Sequence, residues 1–222
     1  MKNHSLFTVD VFAGNSIPPA LLKQYGKLRY KCFDPNDPYL KMDHDRMIEL
    51  DHFDTRPSTI HIMVTSKRAR SPKQLVSAVR LIPTLEEYDL EQPSWSYLTG
   101  SITLPKSSEV MEGSRWVGKS SRTYEGTLST ALLMLQLYQL SREKNFDRII
   151  GVIAEKSEQW LEKREANASA GSTRHFTGRD GNIMVSHINI DRSFLEASRR
   201  MMLSSMEEWS ITHTAVAAVA SE

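Results

Sequence analysis

The segment V-M-E-G-S-R-W, from Val110 to Trp116, determines how we interpret the rest of the chain. Its pattern predicts an extended strand in which Glu112, Ser114 and Arg115 lie between apolar residues. Unpaired buried charge is strongly disfavoured, and a carboxylate near a guanidinium on one strand face is the least costly way to keep both. The segment therefore predicts a charged strand that serves a site.

The residues that follow predict a strand-helix-strand unit around this segment. Thr127 to Leu140 carries apolar residues at helical spacing, and Asp147 to Ala154 (D-R-I-I-G-V-I-A) is typical of a fully buried strand. The unit places the charged strand end beside the N-terminus of a helix.

The other elements predict an α/β fold with a mixed sheet and no internal repeat. We expect residues 1–211 to form a single domain and residues 212–222 to form a flexible C-terminal tail. Thr84 to Ser108 is rich in loops, and Asp34 to Arg46 is either a substrate-covering loop or a surface connection. Strands are predicted at Ser5–Phe12, Ile60–Thr65, Leu75–Ile82 and Ile183–Ile190. Helices are predicted from Pro18-Pro19 to Cys32, at Ser157–Ala168 with Ser157 as its cap, and after Asp191, which caps the last helix.

Composition excludes several classes of protein. The 222 residues are 40% hydrophobic with a formal net charge of +1, which fits one globular domain and argues against a nucleic-acid-coating protein. No apolar run approaches a membrane span of about 20 residues and no signal pattern opens the chain, so we expect a cytoplasmic protein. The single Cys32 and the scattered histidines predict no disulfide and no metal.

Six charged residues stand in apolar or aromatic surroundings. For each one alone a structural ion pair or an exposed position is the better interpretation, but together they indicate a site. Cys32 has no histidine at a partner spacing and is a poor nucleophile candidate, and the Arg122–Gly126 turn has too few glycines for a phosphate loop. The six are Arg29, Asp51, Asp54, Arg80, Glu112 and Arg115.

Ordered blocks across residues 20–120 resemble the acyl-homoserine-lactone synthases of the LuxI type. The blocks are Lys27-Leu-Arg29 with Phe33, Glu49-Leu-Asp51-His-Phe-Asp54, Val79-Arg80-Leu-Ile-Pro-Thr84 and Glu112-Gly-Ser-Arg115-Trp116. The resemblance implies a fold like the GCN5-type N-acetyltransferases, with a V-shaped cleft between splayed strands and helices on both faces. Such synthases transfer an acyl chain from acyl carrier protein to the amine of S-adenosylmethionine, close a lactone and release methylthioadenosine. S-adenosylmethionine is a substrate in this reaction, so the resemblance implies no cofactor.

The resemblance also implies roles for residues. Glu112, Arg115 and Arg80 would be catalytic, with Glu112 the base and Arg80 fixing the carboxylates, while Asp51 and Asp54 would hold the cationic part of S-adenosylmethionine. Arg29 and Arg115 would grip its carboxylate, and Phe33 and Tyr39 would complete that subsite. Two departures are Tyr39, where the family usually has Trp, and Trp116, where Phe is common.

Further expectations concern the acyl chain and its carrier. The acyl pocket would be lined by Trp116, Leu132, Met134, Leu135, Gly151 and Ile153, and the acidic carrier protein would dock on Lys144, Arg148, Lys156, Lys163 and Arg164, which solvated helix faces explain equally well. One alternative function is an acyl-CoA-dependent N-acyltransferase of the same fold acting on another amine. A catalytically silent module is disfavoured because all six charged residues are present.

Overall fold

The computed structural model describes residues 6–33, 40–67, 73–100, 102–118, 123–178 and 181–219, without the side chains of 124, 170–182 and 207–219. The strands are β1 (Leu6–Ala13), β2 (Met42–Asp43), β3 (Ile48–Glu49), β4 (Ile60–Lys67), β5 (Gln74–Pro83), β6 (Val110–Gly118), β7 (Arg148–Ala154), β8 (Ala168–Gly178) and β9 (Gly181–Asn189). The α-helices are α1 (Pro19–Cys32), α2 (Ser96–Thr99), α3 (Tyr124–Lys144), α4 (Glu155–Glu162) and α5 (Arg192–Val219).

Seven strands form one mixed sheet in the order β1-β4-β5-β6-β7-β9-β8. All neighbours are antiparallel except β6 and β7, which are parallel and joined through α3. A strand-helix-strand crossover is the usual connection between parallel neighbours, which is why the predicted central unit folds this way.

Helices cover both faces of the sheet, as the resemblance implied. On one face α3 and α5 contribute Met134, Leu137 and Phe194 to the largest apolar core. On the other face α1 buries Tyr25 against β4 and β5, and the segment around α2 packs Leu98 against β6 and β7. The predicted α/β fold is therefore confirmed.

The V-shaped cleft lies between the two parallel strands. β6 and β7 pair only from Val110 with Arg148 to Glu112 with Ile150, although both strands continue beyond these pairs. Past that point β6 stays paired with β5 and β7 with β9. The sheet therefore divides toward the carboxyl ends of β6 and β7.

Several helix ends follow the local sequence. Thr123 caps α3, since its hydroxyl oxygen accepts from the amide of Gly126 at 3.1 Å, and Asn145, with φ 60°, ends it in the left-handed conformation. Asp191 accepts from the amides of Ser193 and Phe194, as predicted for the cap of the last helix.

The predicted helix at Ser157–Ala168 is wrong in both bounds. α4 begins at Glu155, after an N-cap at Ala154, and ends at Glu162. Ala168 instead begins β8, an edge strand that we did not predict. Its small and polar residues lack apolar alternation, so its strand conformation comes from pairing with β9 rather than from local pattern.

The last helix continues to Val219, into the segment 212–222 for which we predicted a flexible tail. The domain bounds and the mobility of this tail stay predictions. None of the helices in the described part of the chain combines the length and hydropathy that a membrane span needs.

Candidate functional site

A β-bulge in β6 brings the charged side chains to one face. Arg80 pairs with Ser114 and Ala78 with Val117, so Arg115 and Trp116 together face a single residue of β5. Arg115 takes the left-handed conformation, with φ 54°, and this is where the register shifts. In a regular strand Glu112 and Arg115, three residues apart, would point to opposite faces. The bulge therefore makes the predicted shared face possible.

The side chains of α1, β3, the turn 51–55, β5, the turn 89–91 and β6 meet on that face. We call this group the charged cluster. It contains Arg29, Glu49, Asp51, Asp54, Arg80, Asp89, Glu112 and Arg115, all of them buried or nearly so.

Arg80 connects three carboxylates at the centre of the charged cluster. Its Nη1 donates to Asp51 Oδ1 at 2.5 Å and to Asp54 Oδ1 at 3.1 Å, and its Nη2 donates to Asp89 Oδ2 at 2.9 Å. The remaining Nε donates to the Ser114 hydroxyl at 3.0 Å. Since Arg80 is fully buried, these bonds fix the carboxylates rather than leave the guanidinium open to solvent.

Arg29 lies deeper than we predicted for a substrate contact. It is 0% exposed, and it donates through Nε to Glu49 and through Nη1 to Asp54 Oδ1 at 2.6 Å. Its Nη2 has no hydrogen-bond partner in the described part of the chain and lies 3.7 Å from Asp51 Oδ2. The guanidinium also stacks over the Tyr25 ring at 4.8 Å. The grip of Arg29 on a substrate carboxylate stays a prediction.

Arg115 and Asp51 lie nearer the surface of the charged cluster. Arg115 donates to Glu49 at 3.2 Å, to Asp89 at 2.8 Å and to Asp51 Oδ2 at 3.1 Å. Asp51 also accepts from the amide of Phe53, which places its carboxylate at the start of a short 3-10 helix. The side chains of Arg115 and Asp51 are 7% and 6% exposed, so a ligand in the cleft reaches them before Arg29.

Glu112 accepts no hydrogen bond from the described arginines that surround it. All three nitrogens of the Arg115 guanidinium are occupied by other carboxylates, and Glu112 Oε2 accepts instead from the main-chain amide of Asp89 at 2.7 Å. Burial, followed by the negative charge of Asp89, raises the pKa of Glu112 to about 8, against the opposing effect of Arg80.

Asp51 and Asp54, unlike Glu112, are held in the ionised form. Burial opposes ionisation of Asp51, but Arg80 and Arg115 outweigh it and lower the pKa of Asp51 below its usual range. The pKa of Asp54 is lowered in the same sense by Arg29 and Arg80. In formal charges, four carboxylates form ion pairs with three guanidiniums, which leaves the charged cluster with an excess of negative charge before Glu112 is counted. It is therefore suited to a cationic ligand.

The other residues predicted to bind substrate are not members of the charged cluster. Phe33 is half-buried at the end of α1 and packs with its apolar neighbours, while Tyr39 lies outside the described residues. Among the predicted acyl-pocket residues, Met134 is fully buried in the core below the sheet, and Trp116 and Leu132 pack against that core. Leu135 and Ile153 are partly buried.

Gly151 lies at the point where β6 and β7 separate, and a Cβ there would be 2.3 Å from the carbonyl oxygen of Gly113. The space that a side chain at 151 would need is thus filled by main chain. The roles of all these residues in an acyl pocket stay predictions.

The basic residues predicted to dock a carrier do not form one patch. Lys144 and Arg148 are exposed near the N-terminal end of β7, where β7 is paired with β6. Lys156 is exposed just past the C-terminal end of β7, where the two strands have separated. β7 has seven residues, which separates its ends by about 20 Å. Lys163 is exposed, but Arg164 stacks on Trp160 at 4.0 Å and is half-buried.

Three residues to which the sequence assigned no role accept hydrogen bonds through their side chains from the predicted arginines, namely Glu49, Ser114 and Asp89. Glu49 and Ser114 stood inside the quoted blocks, so their position beside assigned residues was the available signal. Asp89 had no such signal, because it lies in the loop-rich stretch between β5 and β6. In the part of the chain that the structure describes, no group of His, Cys, Asp and Glu is arranged to hold a metal ion.

The fold is similar to that of several solved acyl-homoserine-lactone synthases. LasI has a TM-score of 0.69 and 16% identity over 88% of this chain and 95% of its own, and TofI in a ternary complex with an inhibitor and MTA has 0.67 and 19% over 86% and 96%. BjaI, a CoA-dependent synthase with SAM and isopentyl-CoA, has 0.68 and 16% over 88% and 89%. No family model and no curated protein matches the sequence. At these identities the likeness establishes the fold that the resemblance implied.

Proposed function

We propose that the protein is an acyl-homoserine-lactone synthase, which acylates the amine of S-adenosylmethionine and closes the lactone with release of methylthioadenosine. One observation carries the proposal. Glu112, with its pKa raised to about 8, lies beside an ionised arginine-carboxylate cluster where two parallel strands of a synthase-like sheet part. A cytoplasmic location is part of the proposal, since acyl thioesters and S-adenosylmethionine are made there.

The charges of S-adenosylmethionine complement the charged cluster. The substrate brings a sulfonium, an ammonium and a carboxylate, with a net charge of +1, and the cluster offers excess negative charge and three guanidiniums. We assign the cation to Asp51 and Asp54 and the carboxylate to Arg115, which is the more accessible arginine. Structures of TofI with MTA and of BjaI with SAM support this choice of substrate class.

The acyl transfer requires a base. An α-amine has a reference pKa near 8 and is mostly protonated at pH 7, and a group whose pKa lies near that value is well matched to accept its proton. In the proposed step Glu112 takes one proton from the ammonium and the free nitrogen attacks the thioester carbon. The carbon-sulfur bond then breaks, and the leaving thiolate takes the second proton of the nitrogen and departs as a thiol. A cation bound beside Glu112 favours its ionised form, so substrate binding prepares the base.

The lactone forms in a second, intramolecular step. A carboxylate oxygen of the acylated substrate attacks the carbon that bears the sulfonium, the carbon-sulfur bond breaks, and methylthioadenosine leaves as a neutral thioether. The sulfonium is already an excellent leaving group, so the protein has mainly to fold the carboxylate into line.

For the acyl donor we propose acyl carrier protein, which would meet the exposed Lys156 beside the cleft. A second candidate is an acyl-CoA, because MesI and BjaI, with the same fold, are CoA-dependent synthases. An N-acyltransferase acting on another amine remains the alternative function.

The test is incubation of the purified protein with S-adenosylmethionine and either an acyl carrier protein thioester or the matching acyl-CoA. Mass spectrometry of the extract should show an acyl-homoserine lactone and methylthioadenosine in equal amounts. The Glu112→Gln variant serves as the matched negative control. An acyl amide without the lactone, or no product with either donor, would refute the proposed synthase.

A further inference from the structure

Asp89 is a buried member of the charged cluster that none of the proposed chemical steps uses. It lies in the short turn Asp89–Glu91, and its side chain is 9% exposed. A carboxylate this deeply buried is costly unless its oxygens are satisfied. The contacts of Asp89 therefore indicate its role.

Asp89 contacts both the arginines and the proposed base. Its Oδ2 accepts from Arg80 Nη2 at 2.9 Å and from Arg115 Nη1 at 2.8 Å, and its Oδ1 accepts from Trp95 Nε1 at 3.2 Å. Its main-chain amide donates to Glu112 Oε2 at 2.7 Å. One residue thus connects the two arginines of β5 and β6 to the carboxylate between them.

The turn that carries Asp89 is itself fixed. Tyr88 and Leu90 on either side are buried in the apolar core around α2, and the Tyr88 hydroxyl donates to the carbonyl of Pro105 at 2.9 Å. The Glu91 carboxylate accepts from the Tyr88 amide and from Lys106 Nζ. The Asp89 amide is therefore held in its direction toward Glu112.

We propose that Asp89 is a positioning residue, which fixes Glu112 through its main-chain amide and fixes Arg80 and Arg115 through its carboxylate. It touches no reacting atom and acts through these three residues. The inference rests on the proposed function, because Glu112 is the base there.

A pH-dependent effect distinguishes this role from a purely structural one. The groups that face Glu112 are Arg80, Asp89, Arg115 and Tyr88. Burial comes first among the causes that raise the pKa of Glu112, and the charge of Asp89 comes second. Replacing Asp89 with asparagine keeps the main-chain amide but removes that charge. The pKa of Glu112 should then fall, while burial keeps it above the ordinary 4.5.

The experiment is a carboxyl-carbon NMR titration of the full chain labelled at glutamate, in the parent and in Asp89→Asn. The Glu112 signal is identified by its loss in Glu112→Gln. We expect its midpoint to move down by about one pH unit in Asp89→Asn, and an unchanged midpoint would overturn the proposal. This measurement needs no turnover, so its result is separate from success or failure of lactone synthesis.

Two further variants separate charge from packing. Trp95→Phe removes the indole donor but keeps the charge, so the Glu112 midpoint should stay in place. Asp89→Glu keeps the charge but displaces it by one methylene, and we expect turnover to fall at least about tenfold with a smaller movement of the midpoint than in Asp89→Asn. If Asp89→Asn does not fold, Asp89→Glu with turnover within about threefold of the parent contradicts the proposal. The exposed Asp147→Asn is the matched control and should change neither quantity.

Discussion

Gly151 and Gly113 are in direct contact where β6 and β7 separate, so that a Cβ on residue 151 would lie 2.3 Å from the Gly113 carbonyl oxygen. A main-chain atom cannot rotate aside as the end of a flexible side chain can. Only glycine at 151 therefore allows the two strands to approach before they part. The geometry of the cleft depends on this pair.

We expect Gly151→Ala to force the strands apart. The clash with main chain should cost about 2 kcal/mol or more of unfolding free energy, and lower the melting temperature by about 4 to 8 °C. Gly118→Ala is the matched control, since a Cβ there meets first the Ser77 hydroxyl at 3.2 Å, and it should be nearly neutral. Equal melting temperatures for the two variants, measured by calorimetry, would contradict this account of the cleft.

Glu112→Gln and Arg115→Lys should each remove turnover while leaving the fold intact. A glutamine at position 112 cannot accept the amine proton, and a lysine at position 115 cannot bind Glu49, Asp51 and Asp89 at once as the planar guanidinium does. We expect each to fall below about one hundredth of the parent rate, measured as lactone released per minute.

Matched controls for these two substitutions lie outside the charged cluster. Glu109→Gln, just before β6, and Arg142→Lys, near the end of α3, change exposed side chains in the same way. Both should keep the parent rate. Activity within about threefold of the parent in Glu112→Gln or Arg115→Lys would remove that residue from the mechanism.

Stability should fall with pH because of Glu112. An unfolded glutamate loses its proton near pH 4.5, whereas the folded group keeps it up to about pH 8. Between these values the folded state binds the extra proton, so the contribution of Glu112 to stability declines as pH rises through this window. The melting temperature of Glu112→Gln relative to the parent should therefore increase from pH 5 to pH 8. A constant difference across that range would show that Glu112 titrates normally.

The elements with strong apolar patterns could be predicted from the sequence, and those set by distant pairing could not. β4, β5, β7 and α3 lie where the period of their buried residues placed them, within a few residues at each end. β8 was missed because its conformation depends on β9, and α4 was extended too far because nothing in the local sequence marks its end.

The site also combines features that follow from local sequence with features that depend on distant pairing. The alternation rule puts Glu112 and Arg115 on opposite faces, and only the bulge at Arg115, which forms opposite β5, brings them together. Asp89 enters the charged cluster from a stretch without periodicity, through contacts with residues 9 to 26 positions away. The sequence blocks identified the arginines, but they did not include Asp89, the carboxylate that connects Arg80 with Arg115.

Carrier docking should depend on position along β7. Lys156 lies just past the C-terminal end of β7, where β6 and β7 have separated and where the proposed acyl chain would enter. Lys144 and Arg148 lie near the other end of β7, where the two strands are paired. If an acidic carrier protein docks at the mouth, Lys156→Glu should raise the apparent KM for the carrier thioester more than Lys144→Glu does. The KM of the parent should also rise steeply with salt, because steering between exposed charges is screened. Equal effects of the two substitutions and a flat salt response would place docking elsewhere.

The acyl chain should be unsubstituted at its β carbon. A β-ketone buried without a hydrogen-bond donor costs about 1 to 3 kcal/mol. The strand after α3, β7, offers no free side-chain donor near the point where β6 and β7 separate. Gly151 and Ala154 have none, and the Ser186 hydroxyl, on the strand residue paired with Gly151, already donates to the carbonyl of Ser169 at 3.0 Å. We therefore expect kcat/KM for an unsubstituted thioester to exceed that for the β-keto thioester of equal length by about tenfold or more.

The measurement is direct competition of the two donors, with the lactone products separated by mass. Val152→Thr, which adds a hydroxyl one residue along the strand, should narrow the ratio if the chain passes that side of β7, and a parent preference for the β-keto donor would remove Gly151 from the acyl pocket.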